Sequence, residues 1–341
     1  MNRQQNVLLG LAAGAAAAIA GAAAARRRHA IDFAGRNVLI SGGSRGLGLV
    51  MARQLAGEGA RLCLIARDEG ELARARVQVE AAGAADAMTI QCDVRRRADV
   101  RAAIDTLLQA WSGIDVLINN AGVIQVGPLE HMSHEDFEAA MATHFWGPLH
   151  LIQECVPSMR RRGFGRIVNI SSIGGKVAVP HLAPYCASKF ALTGLSDAVR
   201  AELRQYGIRV TTVCPGLMRT GSPRNAKMKG RHEAEYAWFA ISDSMPGISI
   251  DAERAAGQIL NALRHGDPDL TITLAAKAAV WANALVPSVV AAATMTAARL
   301  LPGPTDSGGD RQKAGRHSES RWAPSIATAL SDRAAVGNNE I

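Results

Sequence analysis

Aromatic residues make up only 4% of this 341-residue chain: three tyrosines, six phenylalanines and five tryptophans. So few ring faces exclude a base-stacking surface for single-stranded nucleic acid. Cysteine is sparse as well, and positions 63, 92, 155, 186 and 214 form no CxxC pair. That spacing excludes a disulfide framework and a thiolate metal site, and it fits a reducing compartment. No metal is expected. Neither sign of charge dominates, since 38 basic and 30 acidic residues leave +8. Much of the basic excess sits in short runs, Arg26-Arg27-Arg28 and Arg95-Arg96-Arg97, rather than along one element. A solvated or membrane-facing distribution is the expectation, and no nucleic-acid partner. Apolar residues reach 48%, which excludes disorder of the whole chain.

Val7 to Ala25 carries no charge and lies between Arg3 and the Arg26-Arg27-Arg28 run. It is long enough to span a bilayer as a helix, although most of it is Ala and Gly. We read residues 1–29 as an N-terminal membrane anchor, with a cleaved signal peptide and a surface helix as alternatives. The flanking arginines place the remainder of the chain on the cytoplasmic side. Short β-branched runs then alternate with helical periodicity: Asn37–Ile40, Arg61–Ile65, Met88–Gln91, Asp115–Ile118, Arg166–Ile170, Arg209–Val213 and Leu270–Leu274. Near-continuous apolar strands separated by helices predict an α/β domain over 30–275, with a parallel sheet buried on both faces. Residues 221–250 are polar and irregular and read as a mobile substrate lid. Residues 276–301 form an apolar helical segment, charge-free from Ala278 to Ala298, that covers a pocket or dips into a membrane interface. Residues 302–341 read as a disordered tail.

Ser41-Gly42-Gly43-Ser44-Arg45-Gly46-Leu47-Gly48 comes after the first strand and opens a helix. Glycines there permit a tight turn and bring backbone close to a pyrophosphate at the helix N-terminus. A carboxylate ending the second strand would grip an NAD ribose. Here the strand ends Leu64-Ile65-Ala66-Arg67, so Arg67 and Arg45 are read as facing a 2′-phosphate, which predicts NADP(H). The plain alternative is that both arginines are surface residues, partly neutralised by Asp68 and Glu69. Cys92-Asp93-Val94 ends the third strand, where Asp93 is placed to hold the adenine amino group. Asn119-Asn120-Ala121-Gly122 comes after the fourth, at the sheet edge where ligands bind.

Ser171-Ser172 ends the fifth strand, and Tyr185-Cys186-Ala187-Ser188-Lys189 lies beyond it on a helix. Tyrosine and lysine four apart share one helix face. A nearby ammonium favours phenolate, so the tyrosine pKa is expected to fall below 10, suiting proton exchange with a carbinol oxygen. With these motifs in order, the chain resembles the short-chain dehydrogenase/reductase family over about Gly35 to Leu274. The resemblance rests on Gly42, Gly46, Gly48, Asp93, Asn119-Asn120-Ala121-Gly122, Ser172, Tyr185, Lys189 and Pro215-Gly216 with Thr220. It implies a single doubly wound Rossmann domain with a seven-stranded parallel sheet, and NAD(P)-dependent carbonyl–alcohol chemistry. It also implies that Tyr185 is the acid/base, Lys189 binds the nicotinamide ribose, Ser172 orients the substrate oxygen and Thr220 meets the carboxamide. The family usually has asparagine where His144-Phe145-Trp146-Gly147 stands here. His144 is read as part of a modified proton relay, with a structural histidine or a weakened catalyst as alternatives.

Arg219, Arg224, Lys227, Lys229, Arg231 and His232 crowd the lid, a solvated basic loop or an attraction for anionic lipid or carrier. With the anchor and the apolar segment, the chain is expected to work at a membrane surface on a lipophilic ketone or aldehyde. A non-catalytic NADP-binding scaffold and an alcohol dehydrogenase are the rivals. Helices Phe137–Arg161 and Tyr185–Gln205 match the pair that similar proteins use for dimers, so a homodimer or homotetramer is expected.

Overall fold

The computed structural model describes residues 21, 24, 26–306 and 308–340. Seven strands form one parallel sheet: β1 (Asn37–Ser41), β2 (Arg61–Ala66), β3 (Asp86–Gln91), β4 (Val116–Asn119), β5 (Gly165–Ile170), β6 (Ile208–Pro215) and β7 (Asp269–Ile272). Their spatial order is β7-β6-β5-β4-β1-β2-β3. The order reverses between β1 and β4, and that switch opens a crevice at the carboxyl ends of the strands.

Alternation along the strands explains the layering. Val38, Ile40, Leu62, Leu64, Val116 and Ile118 face α1 (Gly46–Gly57), α2 (Glu69–Ala81) and α8 (Ala252–His265). Leu39, Cys63, Ile65 and Leu117 face the opposite layer of α3 (Arg97–Ala110), α5 (Gly147–Arg162) and α6 (Ala183–Leu203). Both faces are sealed, as parallel sheets require, and each covered Leu, Ile or Val contributes about 1.5–3 kcal/mol. All five cysteines are free and buried.

Phe137–Arg161 is not one helix. α4 (His134–Met141) and α5 are joined by a π turn at Ala142–Trp146, where Gly147 N–H donates to Ala142 O. Such bulges recur at functional sites because the extra residue re-aims neighbouring side chains.

The lid is largely ordered. Lys227–Met228 pairs with Gln125–Val126, and α7 (His232–Ser244) buries Tyr236 and Phe239. Three of its basic residues are tied to partners. Lys229 is buried against Asp136, Arg224 lies 3.6 Å from Glu319, and Arg219 donates to Ser249 O at 3.0 Å.

Residues 302–306 and 308–340, within the tail expected to be disordered, fold back over the domain. Lys313–Ala314 pairs antiparallel with Lys227–Met228, and α11 (Ala329–Gly337) docks on α7, with Ser244 Oγ 2.7 Å from Ser331 Oγ. Backbone pairing and small residues hold the segment, and a composition of Gly, Ser, Pro and charge does not reveal either.

The Ala278–Ala298 stretch breaks at Val286-Pro287 into α9 (Leu274–Leu285) and α10 (Pro287–Ala298). Twelve residues reach about 18 Å, well short of a bilayer core. Among the described residues no helix is long and apolar enough to cross a membrane. The anchor expected at Val7–Ala25 lies almost wholly outside the described residues. At its end, Arg26 pairs with Asp267 at 2.8 Å.

Candidate active site

The glycine turn sits at the carboxyl end of β1. A Cβ on Gly48 would lie 2.1 Å from Gly42 O and 2.6 Å from Asn120 Nδ2, so α1 approaches the turn as only glycine allows. Asn120 Nδ2 donates to Gly42 O at 3.0 Å, and Ser41 Oγ accepts from Asn120 and Ala121 N–H. These bonds bind the turn to the segment after β4. α1 starts with no side-chain cap and no acidic residue in its first turn, leaving its N–H groups and positive dipole end for an anion. Ser44 and Leu47 complete the loop, both buried. This cradle fits a dinucleotide pyrophosphate, but residues 338–340 now lie across it. Gly46 N–H donates to Asn338 O at 2.8 Å.

The two arginines read as 2′-phosphate ligands differ in situation. Arg67 is exposed at the tip of β2. Arg45 is paired with Glu71 at 3.0 Å and also donates to Asn225 at 3.0 Å, while Ser44 Oγ donates to Glu71 at 2.8 Å. Arg74, overlooked in the sequence, points its Nε at Asn339 Oδ1 at 2.7 Å. It sits on α2 one turn beyond Glu71, and the helical spacing alone carried that signal. Asp93 is gripped by Arg95 through Nε at 2.9 Å, which holds its carboxyl below the usual range. Val94 packs beneath Gly147.

Ser172, Tyr185 and Lys189 converge at the ends of β5 and α6. Ser171 Oγ bonds to Lys189 O and to Thr193, pinning α6 to the end of β5. Ser172 Oγ accepts from Gly174 N–H at 3.0 Å. Lys189 is buried, donates to Ile170 O at 2.9 Å, and holds its Nζ 5.6 Å from the centroid of the Tyr185 ring. Burial lowers Lys189 to about 7. Tyr185 departs from expectation: burial pushes its hydroxyl up to about 12, against a downward pull from Ser172. Desolvation of the phenolate outweighs that hydrogen bond.

His144 is not free to relay protons. Its Nε2 accepts from Val123 N–H at 3.1 Å, so that nitrogen is unprotonated. Its Nδ1 lies 2.7 Å from Ser188 Oγ, which itself donates to Tyr185 O at 2.8 Å, so Nδ1 carries the proton. Burial and Lys189 push its pKa well below the usual 6.5. In this geometry the neutral ring stands as a strut beside Tyr185, ring centroids 5.4 Å apart. A Cβ on Gly122 would lie 3.2 Å from its Nε2, so the tetrad after β4 also leans on it.

Pro215-Gly216 ends β6, where Gly216 N–H donates to Ile272 O at 3.1 Å, and Thr220 is buried just beyond. Asp243 on α7 is a residue the sequence did not single out. It is buried, accepts from Met218 N–H at 3.3 Å, and among the described residues its Oδ2 has no partner. Burial raises it to about 8. No group of metal-ligating side chains occurs among the described residues.

A doubly wound sheet, a glycine turn at its switch point and a Ser-Tyr-Lys cluster on the same edge define a nucleotide-dependent oxidoreductase. Residues 36–229 match the short chain dehydrogenase family model, and the chain belongs to that family, whose fold works with a nicotinamide cofactor. A dehydrogenase/reductase SDR family protein 7-like from Anopheles gambiae is 31% identical over 268 residues, spanning 77% of this chain and 83% of that protein. Ketoacyl reductase HetN from Nostoc sp. is 39% identical over 184 residues, 54% of this chain and 64% of its own. Among solved structures, a gluconate 5-dehydrogenase from Burkholderia cenocepacia in complex with NADP and tartrate superposes with a TM-score of 0.63. It is 29% identical and covers 72% of this chain and 96% of its own.

Proposed function

We propose that the protein reduces a lipophilic ketone or aldehyde with NADPH, through Ser172, Tyr185 and Lys189. The observation that carries this reading is the convergence of those three side chains on the edge that holds the glycine turn. A bound nicotinamide supplies the hydride. Tyr185 then gives its proton to the oxygen of the reduced carbonyl, and a hydroxyl raised to about 12 is protonated and ready for that direction. Ser172 orients the same oxygen. Lys189 holds the nicotinamide ribose, and Thr220 with Pro215-Gly216 lines the carboxamide end. Asp93 and Val94 line the adenine pocket. Arg67 and Arg45 face the 2′-phosphate, for which Arg45 must leave Glu71.

Similarity to ketoacyl reductases supports a ketone substrate. Exposed apolar side chains on α9 and α10, with Trp281 at 67%, Leu285 at 74% and Met295 at 64%, support work at a membrane surface. There the domain faces the cytoplasm, tethered by residues 1–29. A groove of about 720 Å³ between the outer faces of α5 and α6, lined by Ile152, Val156, Val199 and Leu203, supports a homodimer. The test is NADPH consumption by a chain starting at Ala30 on aldehydes and ketones of increasing length. Turnover rising with apolar length upholds the reading. NADPH binding without turnover on any carbonyl overturns it in favour of alcohol oxidation or a non-catalytic scaffold.

A further inference from the structure

α11 carries the chain to the rim of the glycine turn. Ala335 closes over Gly221, where an added Cβ would lie 2.6 Å from Ala335 Cα. Asn338, Asn339 and Glu340 then run across the turn, and all three are buried. Asn338 O takes the Gly46 N–H, and its side chain donates to Thr220 O at 3.3 Å. Arg53 reaches from α1 to Gly337 O at 2.8 Å and to Asn338 Oδ1 at 3.2 Å. Asn339 Nδ2 donates to Ser44 O at 2.8 Å, and its Oδ1 accepts from Arg74. Asn225 Nδ2 donates to Glu340 Oε2 at 3.1 Å. Asn339 adopts φ +60°, a conformation non-glycine residues enter at some cost and hold only where surrounding contacts fix it.

Glu340 lies where a phosphate would. A Cβ on Gly46 would fall 2.3 Å from Glu340 Oε1, so the carboxyl fills the space in front of the helix N-terminus. A carboxyl at that uncapped end takes up the volume an anion would need there, whichever its protonation state. A pyrophosphate cannot enter without displacing the segment, because Asn338 O holds the Gly46 N–H and Glu340 fills the space in front of it.

We infer that the glycine turn is a binding site for this chain's own C-terminal segment, and that residues 338–340 compete with the dinucleotide pyrophosphate and hold the enzyme in a closed resting form. The inference rests on the reading that the turn binds a dinucleotide. The charged and titratable groups around Glu340 are Arg45 on the turn, Glu71 on α2 and Asp243 on α7, while Arg53 on α1 and Arg74 on α2 hold its neighbours Asn338 and Asn339. Burial, with Glu71, raises its carboxyl to about 7 against the pull of Arg45. The docked form therefore favours the protonated acid. Docking is strongest below the ordinary carboxylate range and weakens as pH rises through 7.

The test compares NADPH dissociation constants, read by nicotinamide fluorescence, for three forms. These are the full chain, a chain ending at Gly337, and the full chain carrying Asn338→Ala, Asn339→Ala and Glu340→Ala. The triple variant leaves the packing of α11 on α7 intact, which a thermal melt checks. Both altered forms should bind NADPH about tenfold more tightly, the factor for a segment docked in roughly nine molecules of ten. A peptide of residues 326–341 should weaken NADPH binding to the shortened chain competitively. Equal affinity in the full chain and the folded triple variant overturns the inference. Failure of all forms to bind any dinucleotide overturns the cofactor reading, and the inference with it.

Discussion

Replacing Arg45 and Arg67 together by alanine separates the 2′-phosphate assignment from mere proximity to the turn. A charge-assisted hydrogen bond contributes about 1.5–3 kcal/mol, roughly 10- to 150-fold in affinity. Arg45 belongs at the low end of that range, because gaining a phosphate means giving up Glu71 at 3.0 Å. Arg67 makes no ion pair among the described residues, but it is exposed and its contact is screened by solvent. About 10²-fold weaker NADPH binding is therefore expected for the double variant, with NADH changed less than about threefold. The assay is fluorescence titration with both dinucleotides in a chain ending at Gly337, so that the C-terminal segment does not compete. Equal weakening of NADPH and NADH would refute the assignment. It would leave the arginines as partners of Glu71 and Asn225 alone.

Four further outcomes are expected. His144→Ala leaves Val123 N–H and Ser188 without their partner and opens a cavity, so urea denaturation should show a loss of about 2–4 kcal/mol. His144 is neutral in the fold and its pKa lies well below 6.5, so the unfolded chain binds the extra proton. Its contribution is full above about pH 6.5 and lost as pH falls, and His144→Asn should flatten that slope between pH 5 and 7. Glu340 shows the opposite sign: the full chain should bind NADPH more tightly as pH rises from 6 to 8, and Glu340→Gln should remove that trend. Deleting residues 1–29 should release the protein from sedimenting membranes. Retention after deletion would assign the tether to α9 and α10 instead.

Much of the fold was legible because burial on both faces writes itself into strands such as Val38-Leu39-Ile40 and Leu62–Ile65. Each expected strand lies within two residues of its observed bounds. Ser172, Tyr185, Lys189 and the glycine turn were legible because their spacing carries chemistry. What escaped depends on contacts between distant segments. The π turn at Ala142–Trp146 leaves no mark on periodicity. The neutrality of His144 depends on Val123 and Ser188, which no spacing connects to it. The raised hydroxyl of Tyr185 reflects how thoroughly the site is covered, part of it by Tyr236, Phe239 and Ala323 from the lid and the C-terminal segment. That segment pairs through backbone and seats Asn338–Glu340 on a turn almost three hundred residues earlier, and composition is blind to both.

Proton exchange by Tyr185 in a dinucleotide-dependent reduction is the central claim. Tyr185→Phe removes one hydroxyl and keeps the ring, so NADPH binding to the variant and its turnover on the best carbonyl of the length panel should be measured together. The prediction is unchanged NADPH affinity with turnover reduced by a factor of about 10²–10⁴. Turnover retained at the parent rate would contradict it and remove Tyr185 from the chemistry.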